Sequence, residues 1–319
     1  MLPHRYSPGW VISPRGTLKA DGSFTLNFTE FDRVIADLRG RGLTCFPIAP
    51  FDGRHPGASF YERTTGVPNK SLPLNPASGR FDIYMKMVAD HAREKGWIDD
   101  AYFYIWDEPS EKYYGQIGLL GQHIRKVSPD LKTLVTADPS PALDPAIDIY
   151  VPRTRAWLYS TMHHIADAAR RRGKTVWWYE AADPCPAPGI MPIGYPPANT
   201  RVQFWHNWKY QIPGSLYWAA AWHKNEPFYN GVYGHGDGML YYPDHGPSVR
   251  LVMIRDGIED YEYFCILDHL TKDQPDHPAR KLLSIPTDII EEVGRYTTDP
   301  QSLRDYRRKL AEAIEQLSQ

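Results

Sequence analysis

Cysteine is scarce. Cys45, Cys185 and Cys265 are the only three in 319 residues. They form no CxxC pair, and their odd number and wide spacing exclude a disulfide framework. Cys45 lies in an apolar strand pattern and Cys265 on an apolar helix face, so both read as small core residues. No apolar run approaches the roughly 20 residues that span a bilayer, so no membrane association is expected. The opening Met1-Leu2-Pro3-His4-Arg5 lacks the charged-then-apolar profile of a signal peptide. As written, the chain is expected in the cytoplasm, or outside it if the natural N-terminus lies upstream.

A net charge of −2 gives no electrostatic basis for a nucleic-acid surface, and no Lys/Arg block interleaves with aromatics. There is no GxSxG, P-loop, HExxH or Rossmann fingerprint. Residues 234–238 are glycine-rich, but they follow no strand and lack phosphate-loop spacing. Among the 12 histidines, His163 and His164 are adjacent on a helical pattern and point apart. His223, His235 and His245 are loosely spaced near Asp237 and Asp244, without a helical i, i+4 pair. Neither a metal nor a cofactor is expected.

Aromatics and proline are abundant. Ten Trp, 21 Tyr and 11 Phe make 13% of the chain, with 29 Pro besides. Pro-rich stretches at 47–76, 139–152 and 184–197 alternate with strand and helix patterns. Ring-bearing loops on a rigid scaffold suit a pocket that stacks flat apolar faces such as sugar rings, although a large core also consumes aromatics. With 42% hydrophobic and 23% charged residues, 1–319 reads as one globular domain with a sizeable core.

Short apolar runs predict strands at 43–49, 102–106, 132–136, 147–151, 175–179 and 215–219, with a weaker one at 2–6. Amphipathic patterns predict helices at 31–41, 81–95, 113–126, 157–172 and 199–210. Strands alternating with helices at this spacing imply right-handed βαβ units and a parallel sheet. Seven strands fit a barrel better than an open sheet, although spacing alone leaves a doubly wound fold open. The tail, 248–319, reads as helical over 248–270 and 287–317, joined by a turn through Pro275 and Pro286.

The most informative run is Tyr102-Phe103-Tyr104-Ile105-Trp106-Asp107-Glu108-Pro109. It is a buried strand ending in two adjacent carboxylates, which are costly to bury unpaired and so are expected to face a cleft. A plainer role is also open: Asp107 as cap of the helix near Ser110, and Glu108 at that helix's positive end. In a parallel sheet the site lies at the C-terminal strand ends. Those ends read His4-Arg5, Asp107-Glu108, Ala137-Asp138, Trp178-Tyr179-Glu180, Trp218 and Trp222-His223. Ordinary glycosidases place two carboxyl groups on different elements; substrate-assisted ones use the sugar's own 2-acetamido group as nucleophile. A neighbouring pair suits the second scheme. Glu108 serves as acid/base, with a pKa raised by burial and by Asp107, while Asp107 orients the acetamido nitrogen.

The run 104–109 resembles the Asp-Glu-Pro strand end of glycoside hydrolase family 123. Gly236-Asp237-Gly238, Tyr241-Tyr242-Pro243 and Ser248-Val249-Arg250-Leu251 resemble its C-terminal signature, as does Ile254-Arg255-Asp256-Gly257-Ile258-Glu259-Asp260-Tyr261-Glu262-Tyr263. The same signature marks the related domain family of unknown function numbered 4091. The resemblance implies a TIM-like (β/α)8 barrel and retaining hydrolysis of β-linked N-acetylgalactosamine by substrate assistance. It implies Asp107 and Glu108 as the catalytic residues. Tyr179, Glu180, Trp218 and Asp237 carry over as pocket-lining residues, and Arg5, Trp106 and Tyr241 complete the substrate-binding expectation. Residues 254–263 are expected to be structural, an ion-pair and capping network that docks the terminal helix.

Two departures stand out. Family members carry a β-sandwich domain before the barrel, and none is read here. The acidic pair ends the family's fourth strand but the third in this count. The simplest account is a chain starting at the second barrel strand, whose exposed edge the terminal helices or a second copy would cover. The expected partner is a carbohydrate, on a glycan or glycolipid. A glycosidase of other sugar specificity on the same scaffold, or a non-catalytic carbohydrate-binding barrel, are the alternatives.

Overall fold

The computed structural model describes residues 2–5, 7, 12, 14–18, 24–48, 80–181, 188–189, 192–221, 236–242 and 246–319. The expectations at Cys185, Trp222, His223, His235, Pro243, Asp244 and His245, and residues 49–76, 184–187 and 190–191 of the Pro-rich stretches, lie outside them. The chain divides into two compact units. One is Met1–Val151 with Ile165–Val176, the other Pro152–His164 with Trp177–Gln319.

In the first unit, five strands form one parallel sheet: β3 (Phe46–Pro47), β4 (Ala101–Asp107), β5 (Lys132–Thr136), β6 (Ile149–Tyr150) and β7 (Thr175–Val176). They lie in chain order, each hydrogen-bonded to the next; a helix precedes β4, β5 and β7 in the chain, while turns alone join β5 to β6. Ahead of them, β1 (Arg15–Leu18) and β2 (Phe24–Asn27) make an antiparallel hairpin that sequence patterning does not show. Along β4, Ala101, Tyr102, Phe103, Ile105 and Trp106 are all buried, the run of apolar residues on both faces that a covered parallel strand requires.

The covering helices are α1 (Thr29–Gly40), α2 (Arg80–Glu94) and α3 (Tyr114–Val127). They bury Phe31 and Ile35, Tyr84, Met85 and Val88, and Ile117, Leu120 and Ile124 in the same core as the sheet. Each such side chain contributes about 1.5–3 kcal/mol of apolar burial. Helix α3 sits so close to the connection before β6 that a Cβ on Gly121 would stand 2.3 Å from Ala146 Cβ. Helix α4 (Ser160–Arg171) precedes β7.

In the second unit, β8 (Trp178–Glu180) pairs in parallel with β9 (Ser215–Tyr217). Helix α5 (Ala198–Lys209) lies between them in the chain, and α6 (Val249–Thr271) and α7 (Pro300–Leu317) follow. Val202, Trp205, Phe264, Leu267, Leu303, Tyr306 and Leu310 form the core these three helices share. At its centre the Asp260 carboxylate is fully buried. It accepts from Arg201 Nε at 2.6 Å and Nη2 at 2.9 Å, Trp205 Nε1 at 2.8 Å and Arg307 Nη1 at 3.2 Å. Arg307 also reaches Glu259 at 3.2 Å, so the 254–263 motif does tie down the terminal helix. Ser248 caps α6, and Asp299 followed by Pro300 caps α7.

Four sequence expectations are corrected. Cys265, read as a core residue, is exposed on α6. Of the run 2–6, the described residues 2–5 hold no strand: Leu2–His4 is a 3-10 helix closed by the Arg5 amide donating to the Leu2 carbonyl at 2.7 Å, and Pro3 has no N–H to offer a ladder. The run 175–179 splits after Val176, its halves joining different sheets. The stretch 287–317 is not one helix. A hairpin of β12 (Ile290–Glu292) and β13 (Arg295–Tyr296) comes first, and α7 begins only at Pro300, where proline tolerates a helix start and nothing further in.

Candidate active site

The acidic pair stands at the end of β4, and a fault in the sheet shapes it. Tyr104 pairs with Leu134, yet Trp106 pairs with Val135 and Asp107 with Thr136, so β4 carries one residue more than β5 across this interval. In a regular strand, residues three apart point to opposite faces; the bulge brings Tyr104 and Asp107 to the same one. Tyr104 Oη donates to Asp107 Oδ1 at 2.9 Å, and Thr136 Oγ1 donates to the same oxygen at 2.8 Å. The two hydroxyl oxygens are 3.0 Å apart. The Glu108 amide donates to Thr136 Oγ1 at 2.9 Å.

Glu108 has a left-handed backbone, φ +45°, a conformation that costs a non-glycine residue about 1–2 kcal/mol. Strain of this kind collects where the chain must aim a side chain. Asp107 is half-buried and Glu108 exposed, so the expectation of a buried Glu108 is corrected. Neither residue caps the following helix: the short 3-10 turn Glu111–Tyr113 intervenes, and no side chain caps it or α3. Two residues beyond Thr136, the Asp138 carboxyl is pushed up by burial although the residue as a whole reaches solvent. It lies near enough to Tyr114 for its charge to help raise that phenol, after the larger effect of burial.

Trp106, expected to bind substrate, is 2% exposed and packs in the core, its ring 5.0 Å from that of Tyr113. Arg5 is exposed, in the turn after the first 3-10 helix, with φ +57°.

In the second unit, Tyr179 and Glu180 are both buried at the end of β8. Arg153 Nε donates to Tyr179 Oη at 2.8 Å, and Thr154 Oγ1 donates to Glu180 Oε2. At the end of β9, Asp237 is 3% exposed and accepts from Tyr217 Oη at 2.6 Å and from Trp218 Nε1 at 3.1 Å. Burial pushes the Asp237 carboxyl up, against the pull of those donors and of the Arg250 charge. Burial and Asp237 push the Tyr217 phenol well above its ordinary value. The Gly238 amide donates to Tyr217 Oη at 2.6 Å, and Arg250 donates to the carbonyls of Gly236 at 2.7 Å and Met239 at 2.6 Å. Trp218 is thus a half-buried indole whose N–H is held by a buried carboxylate. Tyr241, half-buried in the two-residue strand β10 (Tyr241–Tyr242), which pairs with β11 (Gly246–Pro247), donates its amide to the Ala220 carbonyl.

The residues that fix these groups, Tyr104, Thr136, Arg153, Thr154, Tyr217 and Arg250, are not singled out by the sequence. Only Tyr104 and Arg250 fall inside the motifs quoted above. Among the described residues no cluster of three or more His, Cys, Asp or Glu is placed to hold a metal, and no helix is long and apolar enough to cross a membrane.

Comparison with solved structures gives a family 123 glycoside hydrolase from Clostridium perfringens, described for glycolipid glycan hydrolysis. It is 17% identical with a TM-score of 0.57, over 96% of this chain and 57% of that one. At that identity the likeness speaks for the fold, which is mixed α/β and TIM-like, and the chain spans little more than half that enzyme's length. A glucosidase from Croceicoccus marinus (12% identity, TM-score 0.43, 73% of this chain and 54% of that one) is more distant. So is an endo-β-1,4-mannanase from Thermotoga petrophila (13%, 0.41, 78% and 65%). No curated protein matches. The matching family model is that of the glycoside hydrolase 123 catalytic domain; it aligns with residues 16–267, and the chain belongs to that family.

Proposed function

We propose that this glycoside hydrolase releases terminal β-linked N-acetylhexosamine, N-acetylgalactosamine foremost, with retention of configuration and with the substrate's acetamido group as nucleophile. The observation that carries the reading is the pairing of an exposed Glu108 with an Asp107 whose Oδ1 is held by two hydroxyls. Adjacent carboxylates in one turn cannot flank a sugar from both faces, as acid and direct nucleophile must. They can serve one face together.

In the first step the acetamido carbonyl oxygen attacks C1 while Glu108 gives its proton to the departing glycosidic oxygen. The C1–O bond breaks and an oxazolinium ion forms. Asp107 accepts from the acetamido N–H and balances the positive charge that develops there. Water then attacks C1, Glu108 takes its proton, and the ring opens to return the acetamido group. Two inversions give net retention. Trp218 of the second unit is proposed as a stacking surface, since its indole is half-buried and its N–H is anchored. Tyr179, Glu180, Asp237, Tyr241 and Arg5 are kept as candidate sugar-binding residues, each within its own unit, with Trp106 supporting the strand from the core. The Clostridium perfringens enzyme's association with glycolipid glycans favours a glycan- or lipid-borne sugar as substrate.

Leaving-group dependence tests the roles. Glu108→Gln should lose about 10²–10⁴-fold on alkyl glycosides, yet much less on activated aryl glycosides that need little acid help. Asp107→Asn should lose activity on both. Equal losses on both substrates for Glu108→Gln would refute the assignment.

A further inference from the structure

We propose that Thr136, assisted by Tyr104, is a positioning residue that chooses which oxygen of Asp107 meets the substrate and locks Asp107 to Glu108. The proposal rests on the reading of those two carboxylates as the catalytic pair. A threonine hydroxyl has one proton to give and lone pairs to receive. Here the proton goes to Asp107 Oδ1 at 2.8 Å, and the oxygen receives the Glu108 amide at 2.9 Å. Tyr104 Oη also donates to that Oδ1 at 2.9 Å, and lies 3.0 Å from Thr136 Oγ1. Both protons are thereby directed to one carboxylate oxygen, which leaves Oδ2 as the one presented to the acetamido N–H.

The Glu108 contact matters equally. A left-handed residue just past a strand end has few backbone restraints, and Thr136 supplies one by holding its amide. One hydroxyl therefore sets the aim of the orienting carboxylate and the backbone position of the acid/base. Thr136 is suited to this because it is 3% exposed and sits opposite Asp107 in the β4–β5 ladder, on a rigid element. The arrangement also needs the bulge between Tyr104 and Trp106, without which Tyr104 would face away.

The test compares Thr136→Val, Thr136→Ser and Tyr104→Phe with the parent and Asp107→Asn, on aryl and alkyl β-N-acetylgalactosaminides. Valine keeps the branched shape and loses both bonds; serine keeps the hydroxyl. Thr136→Val should lower kcat about 10–100-fold with little change in KM, the scale of a hydrogen bond to a charged group. The loss should be greater on the alkyl glycoside, because Glu108 is displaced as well. Thr136→Ser should restore most of the rate. Tyr104→Phe, which leaves the strand pairing untouched, should lose about 10-fold on both substrates alike, since it removes one donor to Asp107 and leaves the Thr136 contact to the Glu108 amide in place.

Thr136→Val or Tyr104→Phe turning over at the parent's kcat, or Thr136→Ser falling as far as Thr136→Val, would overturn the proposal. If that happens while Asp107→Asn is inactive, the catalytic reading stands and the positioning role alone is lost. Parent-level turnover by Asp107→Asn, or a parent inactive on both glycosides, would overturn the reading and the proposal together.

Discussion

Replacing His206 isolates one buried group whose protonation works against the folded state. His206 lies on α5, fully buried, its Nδ1 3.0 Å from the Val202 carbonyl oxygen and its ring edge-on to Tyr296 at 4.9 Å. Burial, with a smaller push from Lys209, lowers its pKa from 6.5 to about 4. Between those values the unfolded chain binds a proton that the folded chain refuses. Stability is therefore complete above pH 6.5 and is lost as pH falls towards 4. A shift of about 2.5 units corresponds to about 3 kcal/mol in all, of which about 2 kcal/mol is gone by about pH 5. Carboxylates with lowered values, such as Asp32 and Asp299, give up their contributions only at lower pH, since both start from 3.8 and move down. Urea unfolding of the parent and of His206→Gln at about pH 7.5 and pH 5 is the assay. The parent should lose about 2 kcal/mol more than the variant over that interval. Equal losses, also in His206→Phe, would show that His206 accepts its proton without cost and that the packing argument for α5 fails.

Two further outcomes follow from the geometry. Asp260→Asn should cost about 3–5 kcal/mol, because Arg201 would be left buried without its counter-charge; chemical denaturation reads this, and a loss under 1 kcal/mol would mean the pair is hydrated. Glu108→Asn should raise stability by about 1 kcal/mol while abolishing turnover, because asparagine tolerates φ +45° and glutamate does not; a variant no more stable than the parent would remove the argument for strain there.

The sequence exposes those elements whose pattern is strong and local. The strand at 132–136 has the predicted bounds, and β4 differs from 102–106 by one residue at each end, because runs of β-branched and aromatic residues fit no other element. The acidic pair was visible for the same reason: carboxylates are anomalous beside such a run. What the sequence hides is tertiary. A bulge adds one residue to a strand, and nothing in Tyr104-Ile105-Trp106 distinguishes it from regular pairing. Thr136 reads as an ordinary strand former until its neighbour across the ladder is known to be Asp107. Trp106 carries the same aromatic signature as Trp218, but one is turned into the core of the first unit and the other is half-buried in the second, its N–H held by Asp237. The hairpin at 290–296 is hidden in a helical pattern because the apolar residues Ile289, Ile290 and Val293 also fall at helical spacing.

The most direct test of the central claim is release of 4-nitrophenol from its β-N-acetylgalactosaminide, with the β-N-acetylglucosaminide and the β-galactoside alongside. Substrate assistance predicts cleavage of the first and silence on the plain galactoside, which has no acetamido group to attack C1. Hydrolysis of the galactoside at a comparable rate would contradict it, because the nucleophile would then have to come from the protein.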